Sequence, residues 1–267
     1  MESRTVGRLT LYFDHEDEDA AGVIGSACER TLSIVHELWG LEVPDDCRVY
    51  VMTSWLRFAL HSAPWPWRIY WVITLPLRYA AIQRLWSVAG GWALRYGRRR
   101  AVGIKPPRLL GEAPSEIGKR VFVVRGIDEM VQHNTCHELV HACSDDLGLP
   151  AWPREGLAMI TVDRFAGKPT VRAETLEILV RPSASSHPVK TAKAVRDLDQ
   201  LVAVYVQGYW LTRYLAETRP ELLASLLKRT RPRKQVESVL AAELEVSLEE
   251  FWSEANQAVR AHFQDRI

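Results

Sequence analysis

The chain has 267 residues, of which 47% are hydrophobic and 25% are charged, and its formal net charge at pH 7 is +1. A chain of this length can bury a core in one large domain or in two closely packed ones. Its 34 basic residues are balanced by 33 acidic ones. This composition provides no general basic field for nucleic acid, so we expect no nucleic-acid partner.

The cysteines, at positions 28, 47, 136 and 143, form no CxxC pair. This spacing is typical of neither a disulfide framework nor a zinc ribbon, so we expect reduced, mostly buried thiols. Residues 1–19 lack the apolar core of a secretory signal, and no uncharged apolar run approaches the roughly 20 residues that cross a bilayer. We therefore expect a cytoplasmic protein.

Three short segments rich in β-branched and aromatic residues predict strands at residues 8–13, 47–53 and 121–124. Between the first two, apolar residues recur at helical spacing from Glu16 to Trp39, and Gly40 follows as a candidate helix end. The third predicted strand, VFVV, is our candidate for a sheet edge that pairs with an extended peptide.

From Asp128 onward the apolar spacing predicts helix in almost every segment. The predicted helices span residues 128–146, 153–165, 170–181, 191–217, 219–230, 233–243 and 247–264. Strands mixed with a helix, followed by a run of helices, are typical of the α+β class. We predict an N-terminal α/β part over residues 1–126, with a small sheet, and a helical part over residues 127–267.

Residues 55–110 form an unusual insertion, which contains six of the ten tryptophans. On a helical wheel from Leu75 to Arg98, most of the arginines gather on one side and the apolar residues on the other. Such a helix, within residues 65–100, can lie on an anionic membrane surface or pack on the core with its arginines in solvent. We favour packing on the core, because tryptophan is also a common core residue.

The clearest chemical signal is the HExxH sequence from His137 to His141. Residues four apart share one face of a helix, so His137 and His141 can present two imidazoles to one metal ion. Glu138 projects beside that ion, where a carboxylate can take a proton from water. The pattern predicts a Zn²⁺ site, and catalytic zinc needs a third protein ligand.

Glu155 is the candidate for that third ligand. Thirteen residues separate it from His141, which is room for a helix end, a tight turn and a new helix that begins near Pro153. A glutamate in a first helical turn is ordinarily explained by the helix dipole. The preceding HExxH sequence favours the ligand interpretation.

The sequence HELVH followed by AWPREGLA resembles the gluzincin metallopeptidases, the thermolysin-like group of the peptidase MA clan. Members pair HExxH with a glutamate in a W-x-x-E-G-x-A setting, and the segment from Tyr205 to Gly208 is similar to the Y-x-x-G of gluzincin aminopeptidases. The resemblance implies zinc bound by His137, His141 and Glu155. It also implies a hydrogen bond from Tyr205 to the oxyanion, with Tyr209 as the competing donor.

The resemblance further implies a gluzincin-like fold, in which an N-terminal sheet and its helices pack on the HExxH helix, beside a helical C-terminal half. The implied activity is hydrolysis of a peptide or protein substrate, with Glu138 as general base. In thermolysin-like members an aspartate one turn after the third ligand orients the first histidine, whereas Met159 occupies that position here. Asp163 or a backbone carbonyl is the alternative acceptor.

Two other functions compete with proteolysis. The first is a zinc-bound, non-proteolytic binding or scaffold domain, and the second is a membrane-surface role for residues 65–100. The presence of Glu138 and Tyr205 favours the enzyme. His133 lies one turn before His137, and it is interpreted as either a helix-surface histidine or a residue that contacts substrate or a zinc ligand.

Overall fold

The computed structural model describes residues 1–111, 116–180, 198–228, 233–264 and 266. They form two compact units, Met1–Glu116 with Val124–Cys143, and Ile117–Val123 with Ser144–Ile267. A sheet and many helices are present, which confirms the predicted mixture of α and β structure. Among the helices in these described ranges, none is both long and apolar enough to cross a membrane.

The first unit contains one mixed sheet. Its strands are β1 (Glu2–Val6), β2 (Leu9–Phe13), β3 (Asp46–Val51), β4 (Gly91–Tyr96) and β5 (Arg99–Ile104). The order is β1-β2-β3-β5-β4, with β3 parallel to β2 and β5, and with antiparallel β1–β2 and β4–β5 pairs. Strands β1 and β4 are therefore the two edges of the described sheet.

Helices make up most of the described chain. They are α1 (Glu18–Trp39), α2 (Trp55–Ser62), α3 (Trp65–Val88), α4 (Glu116–Val121), α5 (Ile127–Ser144), α6 (Ala151–Ala166), α7 (Leu198–Thr218), α8 (Pro220–Lys228), α9 (Arg233–Glu243) and α10 (Phe251–Phe263). Helix α1 confirms the predicted helix after the first strand, and Gly40 ends it in the left-handed conformation that favours glycine.

Strand β3 is buried on both faces of the sheet because successive side chains point in opposite directions. On one face Tyr50 stacks on Tyr12 and meets Phe58 of α2 edge-on, with ring centroids 4.9 and 5.7 Å apart. On the other face Cys47 is buried, and burial together with the nearby Cys47 raises the pKa of the thiols of Cys28 on α1 and Cys143 on α5. The sheet is thus covered by α2 on one side and by α1 and α5 on the other.

The four cysteines are buried, as predicted. Burial raises the pKa of the Cys47 thiol and of the Cys136 thiol to about 12. Thiols with so high a pKa stay protonated at neutral pH and are poor nucleophiles.

In the second unit, α6 and α7 cross at two glycines. A methyl group built at Gly156 would lie 2.3 Å from the carbonyl oxygen of Gly208 and 2.0 Å from Oγ1 of Thr212. A methyl group at Gly208 would lie 2.3 Å from the carbonyl oxygen of Trp152. The two backbones are in direct contact, so neither position has room for a side chain.

The predicted strand at residues 121–124 is wrong. Val121 is the last residue of α4, and Phe122 forms an isolated antiparallel bridge with Val171. The amide of Val123 donates to the carbonyl of Thr170, and the amide of Arg172 donates to the carbonyl of Val121. A run of four apolar residues does not distinguish a strand from a helix end followed by one bridge.

The helical wheel from Leu75 to Arg98 is also wrong beyond Val88. Helix α3 ends there, and β4 and β5 form a hairpin whose turn contains Gly97 with φ of +63°. The helix predicted at 170–181 is a 3-10 helix, Ala173–Val180. Part of the helix predicted at 191–217, residues 191–197, lies outside the described residues, and α7 covers the rest.

We expect Gly156→Ala to lower the free energy of unfolding by about 3 kcal/mol, because the added methyl group meets the backbone of Gly208 and the buried, short side chain of Thr212, neither of which can move aside easily. Gly22→Ala in α1 is the matched control, since a methyl group there meets nothing within 4 Å. The control should gain roughly 0.5–1 kcal/mol through the lower entropy of the unfolded chain. Urea unfolding followed by circular dichroism measures both, and equal stability of the two variants would contradict the close crossing.

Candidate metal centre

Helix α5 brings the two predicted histidine ligands together. The Nε2 atoms of His137 and His141 are 3.0 Å apart, and the two rings are perpendicular, with centroids 4.6 Å apart. Ligand atoms about 2.0–2.1 Å from one tetrahedral ion are roughly 3.3 Å from each other. The imidazoles therefore converge as two ligands of a single ion would, with His141 buried and His137 half-buried.

Glu155 joins the two histidines. One ligand atom each from His137, His141 and Glu155 lie within 4.8 Å of one another. The chain reaches this arrangement through Gly148, whose φ of +64° follows a short 3-10 turn, and through α6, which begins at Ala151. Two imidazole nitrogens and one carboxylate are a donor set that zinc binds in catalytic sites. The residues present thus fit a zinc ion.

A second acidic group in the described residues has a different explanation. Asp14, Glu16 and Asp17 also lie within 4.8 Å of one another. Arg57 binds Asp14 through both guanidinium nitrogens, and Arg108 donates to Asp17 and Glu16 at 2.8 Å. These carboxylates are neutralised by arginines, so the group is an ion-pair cluster that fastens the loop before α1.

Glu138 packs against the edge strand of the sheet. A methyl group built at Gly91, the first residue of β4, would lie 2.5 Å from Cγ of Glu138. At Gly90 it would lie 1.9 Å from Nδ2 of Asn134, one turn earlier on α5. The two glycines let the start of β4 lie directly on the face of α5 that carries the proposed base.

The Gly90–Gly91 contact was missed from the sequence. The signal that could have found it is the glycine pair itself, because adjacent glycines inside a predicted apolar helix indicate a break or a close backbone approach. The pair is held in place by Lys105, whose amide donates to the Gly90 carbonyl at 3.0 Å. The Lys105 ammonium contacts the carbonyl and the ring of Trp86, and burial lowers its pKa to about 8.

Asp163 is bound within the second unit. Its Oδ1 accepts hydrogen bonds from the amide and hydroxyl of Thr170 at 2.7 and 2.6 Å, and its Oδ2 accepts one from the Tyr209 hydroxyl at 2.7 Å. Burial raises the pKa of the Asp163 carboxyl, while the hydrogen bonds from Thr170 and Tyr209 lower it. Both oxygens are thus engaged, which weakens the interpretation that Asp163 orients a zinc-binding histidine.

The hydrogen bonds around Asp163 also distinguish the two candidate oxyanion donors, Tyr205 and Tyr209. Tyr209 is fully buried, its hydroxyl donates to Asp163, and Arg213 donates to that hydroxyl at 3.2 Å. Burial and the Asp163 charge raise the pKa of Tyr209. Tyr205, one turn earlier on α7, is half-buried and meets Phe122 edge-on at 6.0 Å. Tyr209 therefore has a structural role, which leaves Tyr205 as the candidate donor.

Two other residues considered in the sequence analysis are buried. His133 is buried, and its Nε2 lies 4.0 Å from a carboxylate oxygen of Glu129, so its interpretation as a surface histidine is wrong. Met159, at the position where the resemblance would place an aspartate, is buried.

Comparisons with known proteins identify no family. No family model matches this chain, and neither a curated protein nor a solved structure matches it. The function of the site is therefore inferred from its own residues and their geometry.

Proposed function

We propose that this protein is a zinc-dependent metallopeptidase that hydrolyses peptide bonds. The observation that carries the proposal is the meeting of three ligand atoms, from His137, His141 and Glu155, within 4.8 Å. A zinc ion at such a site would supply a Lewis acid that polarises a scissile carbonyl and makes a water molecule more acidic. The proposal includes a gluzincin-like arrangement of the elements around the site.

Glu138 is the general base in this scheme. It follows His137 on α5, and its side chain is confined by the backbone of Gly91, which limits the positions that its carboxylate can adopt. The carboxylate takes a proton from the attacking water and then passes this proton to the leaving amine. Because Glu138 performs both proton transfers, a side chain at this position that cannot accept a proton stops the reaction at its first step.

The substrate is a peptide bound in extended form along β4. This strand is an edge of the described sheet, and its far side is not paired with another strand. Its first residue, Gly91, packs on Glu138, so a peptide added to this edge would run past the general base. Strand addition is a common mode of peptide recognition. This assigns to β4 the role that the sequence had predicted for residues 121–124.

Tyr205 stabilises the oxyanion that forms when water attacks the carbonyl. Its place on α7 is fixed by the close crossing of α6 and α7 at Gly156 and Gly208. The same crossing fixes Glu155, which precedes Gly156. The W-x-x-E-G-x-A and Y-x-x-G sequences thus each join a functional side chain to a glycine of this contact.

Removal of the third ligand tests the metal site without any assay of activity. Glu155→Ala should weaken zinc binding by more than roughly 100-fold, since loss of even an outer-shell partner costs 10- to 100-fold. Competition with a chromophoric zinc indicator measures this affinity. Glu221→Ala, an exposed glutamate on α8, is the control and should bind zinc as the wild type does. Unchanged affinity of Glu155→Ala would assign the third ligand elsewhere.

Glu138→Gln tests the hydrolytic step. The variant should retain zinc, because Glu138 is not a ligand, and should lose roughly 100- to 10,000-fold in kcat, the usual contribution of a general base. Cleavage of a peptide library followed by mass spectrometry measures the activity. Zinc binding by a wild-type protein that cleaves no peptide would instead favour the non-proteolytic scaffold function.

The two tyrosines should respond differently to loss of their hydroxyl groups. Tyr205→Phe should lower kcat by roughly 100-fold, as loss of one oxyanion donor does. Tyr209→Phe should instead lower the free energy of unfolding by about 1–3 kcal/mol, because it removes a buried hydrogen bond to Asp163. Kinetics and urea unfolding on both variants separate the roles, and the opposite pattern would exchange them.

A further inference from the structure

Helix α3 exposes a continuous apolar face to solvent. Its most exposed large apolar side chains are Trp65 (71%), Ile69 (46%), Val72 (63%), Ile73 (67%) and Leu77 (89%). Their spacing of four, three, one and four residues places them along one side of a helix. Single exposed apolar residues are ordinary, but a continuous apolar face of this length marks an interaction site.

The opposite face of α3 packs on the core of the first unit. Trp71 and Ile82 are buried in a cluster with Trp55 and Phe58 of α2, and Trp71 donates a hydrogen bond to the Tyr96 hydroxyl at 3.0 Å. The predicted wheel begins at Leu75, so it does not cover the first four residues of the exposed face. The core takes one apolar face, and the second apolar face is turned outward.

The segment of the sequence that contains α3 carries charge of one sign only. Between Cys47 and Gly111 the sequence has ten arginines and one lysine, and it has no aspartate or glutamate. Several of these cations are paired with acids outside the segment, such as Arg57 with Asp14. Arg68 and Arg78 on α3 are exposed, however, and so is Arg98 in the β4–β5 turn.

The turn that carries Arg98 lies beside the start of α3, because the rings of Trp67 and Tyr96 are 5.7 Å apart. Arg68 lies one turn before Val72, at the edge of this apolar face, and Arg78 directly follows its last residue, Leu77. Arg98 lies near the start of the helix, on the side of Trp67. A second copy of this chain would bring like charges together at this face, which costs free energy. A nucleic acid would satisfy the cations but leave the apolar side chains between them without partners.

An anionic lipid surface satisfies both features. Apolar side chains with tryptophan enter the boundary between head groups and acyl chains, while arginines reach lipid phosphates. Helix α3 is not apolar enough to span a membrane, so it would lie in the plane of the surface. We propose that the outer face of α3, defined by Trp65, Ile69, Val72, Ile73 and Leu77, docks this protein on anionic membranes. This docking requires neither bound zinc nor hydrolysis.

Vesicle flotation tests the docking directly. Wild-type protein should float with vesicles of phosphatidylcholine and phosphatidylglycerol in a 7:3 ratio, and its partition coefficient should fall at least tenfold on pure phosphatidylcholine. Ile73→Glu/Leu77→Glu should lose at least tenfold on the anionic vesicles. Both positions are exposed, so circular dichroism should show an unchanged fold. Val72→Ser/Ile73→Ser, which adds no charge, should give a smaller loss in the same direction.

The matched control is Leu198→Glu/Leu248→Glu, which adds the same charge at two exposed leucines of the second unit. It should float as the wild type does. Wild-type protein that does not float, or an α3 variant that floats equally well, would overturn the proposal. So would equal flotation on neutral vesicles. A wild-type dimer in sedimentation velocity that Ile73→Glu/Leu77→Glu converts to a monomer would assign the face to a second copy instead.

Discussion

Direct contact between backbone segments at glycines determines where the proposed functional side chains of this protein can lie. At the crossing of α6 and α7, Gly156 and Gly208 leave no room for a β-carbon. The neighbouring Glu155 and the nearby Tyr205 take their positions from that crossing. At the start of β4, Gly91 allows the same approach to Glu138. With a larger residue at any of these positions, the two elements in contact would lie farther apart. The carboxylate of Glu155 or Glu138, or the hydroxyl of Tyr205, would then move with its element.

Local geometry explains why much of the site could be predicted from the sequence. His137 and His141 converge because residues four apart share one helix face, and this depends on nothing outside α5. Glu155 required only a helix end at Gly148 and a new helix near Pro153, and both have sequence signals. The strands at β2 and β3 and the helix α1 were found for the same reason, since each has a repeating apolar pattern within its own residues.

The errors arose where the outcome depends on residues distant in sequence. Residues 121–124 have the composition of a strand, but they find only one bridge, at Val171. Strand β4 falls within the predicted helical wheel, but its pairing with β5 decides its structure. The role of Tyr209 is set by Asp163 and Arg213, which no spacing rule connects to it. The HExxH sequence is informative without a matching family because metal geometry constrains few residues, whereas a fold can vary around them.

Helix α3 illustrates a limit of periodicity as evidence. A helix with one apolar face shows a clear repeat, and its solvent side is then evident. In α3 the inner residues, such as Trp71, and the outer residues, such as Leu77, are both apolar. The sequence of α3 therefore shows no alternation of apolar and polar residues at helical spacing. Burial of the inner face explains only half of the helix. The outer face of α3 is exposed and does not contribute to the core of its unit. A low-dielectric phase outside the unit, such as the surface layer of a membrane, would remove this face from water without disturbing the fold.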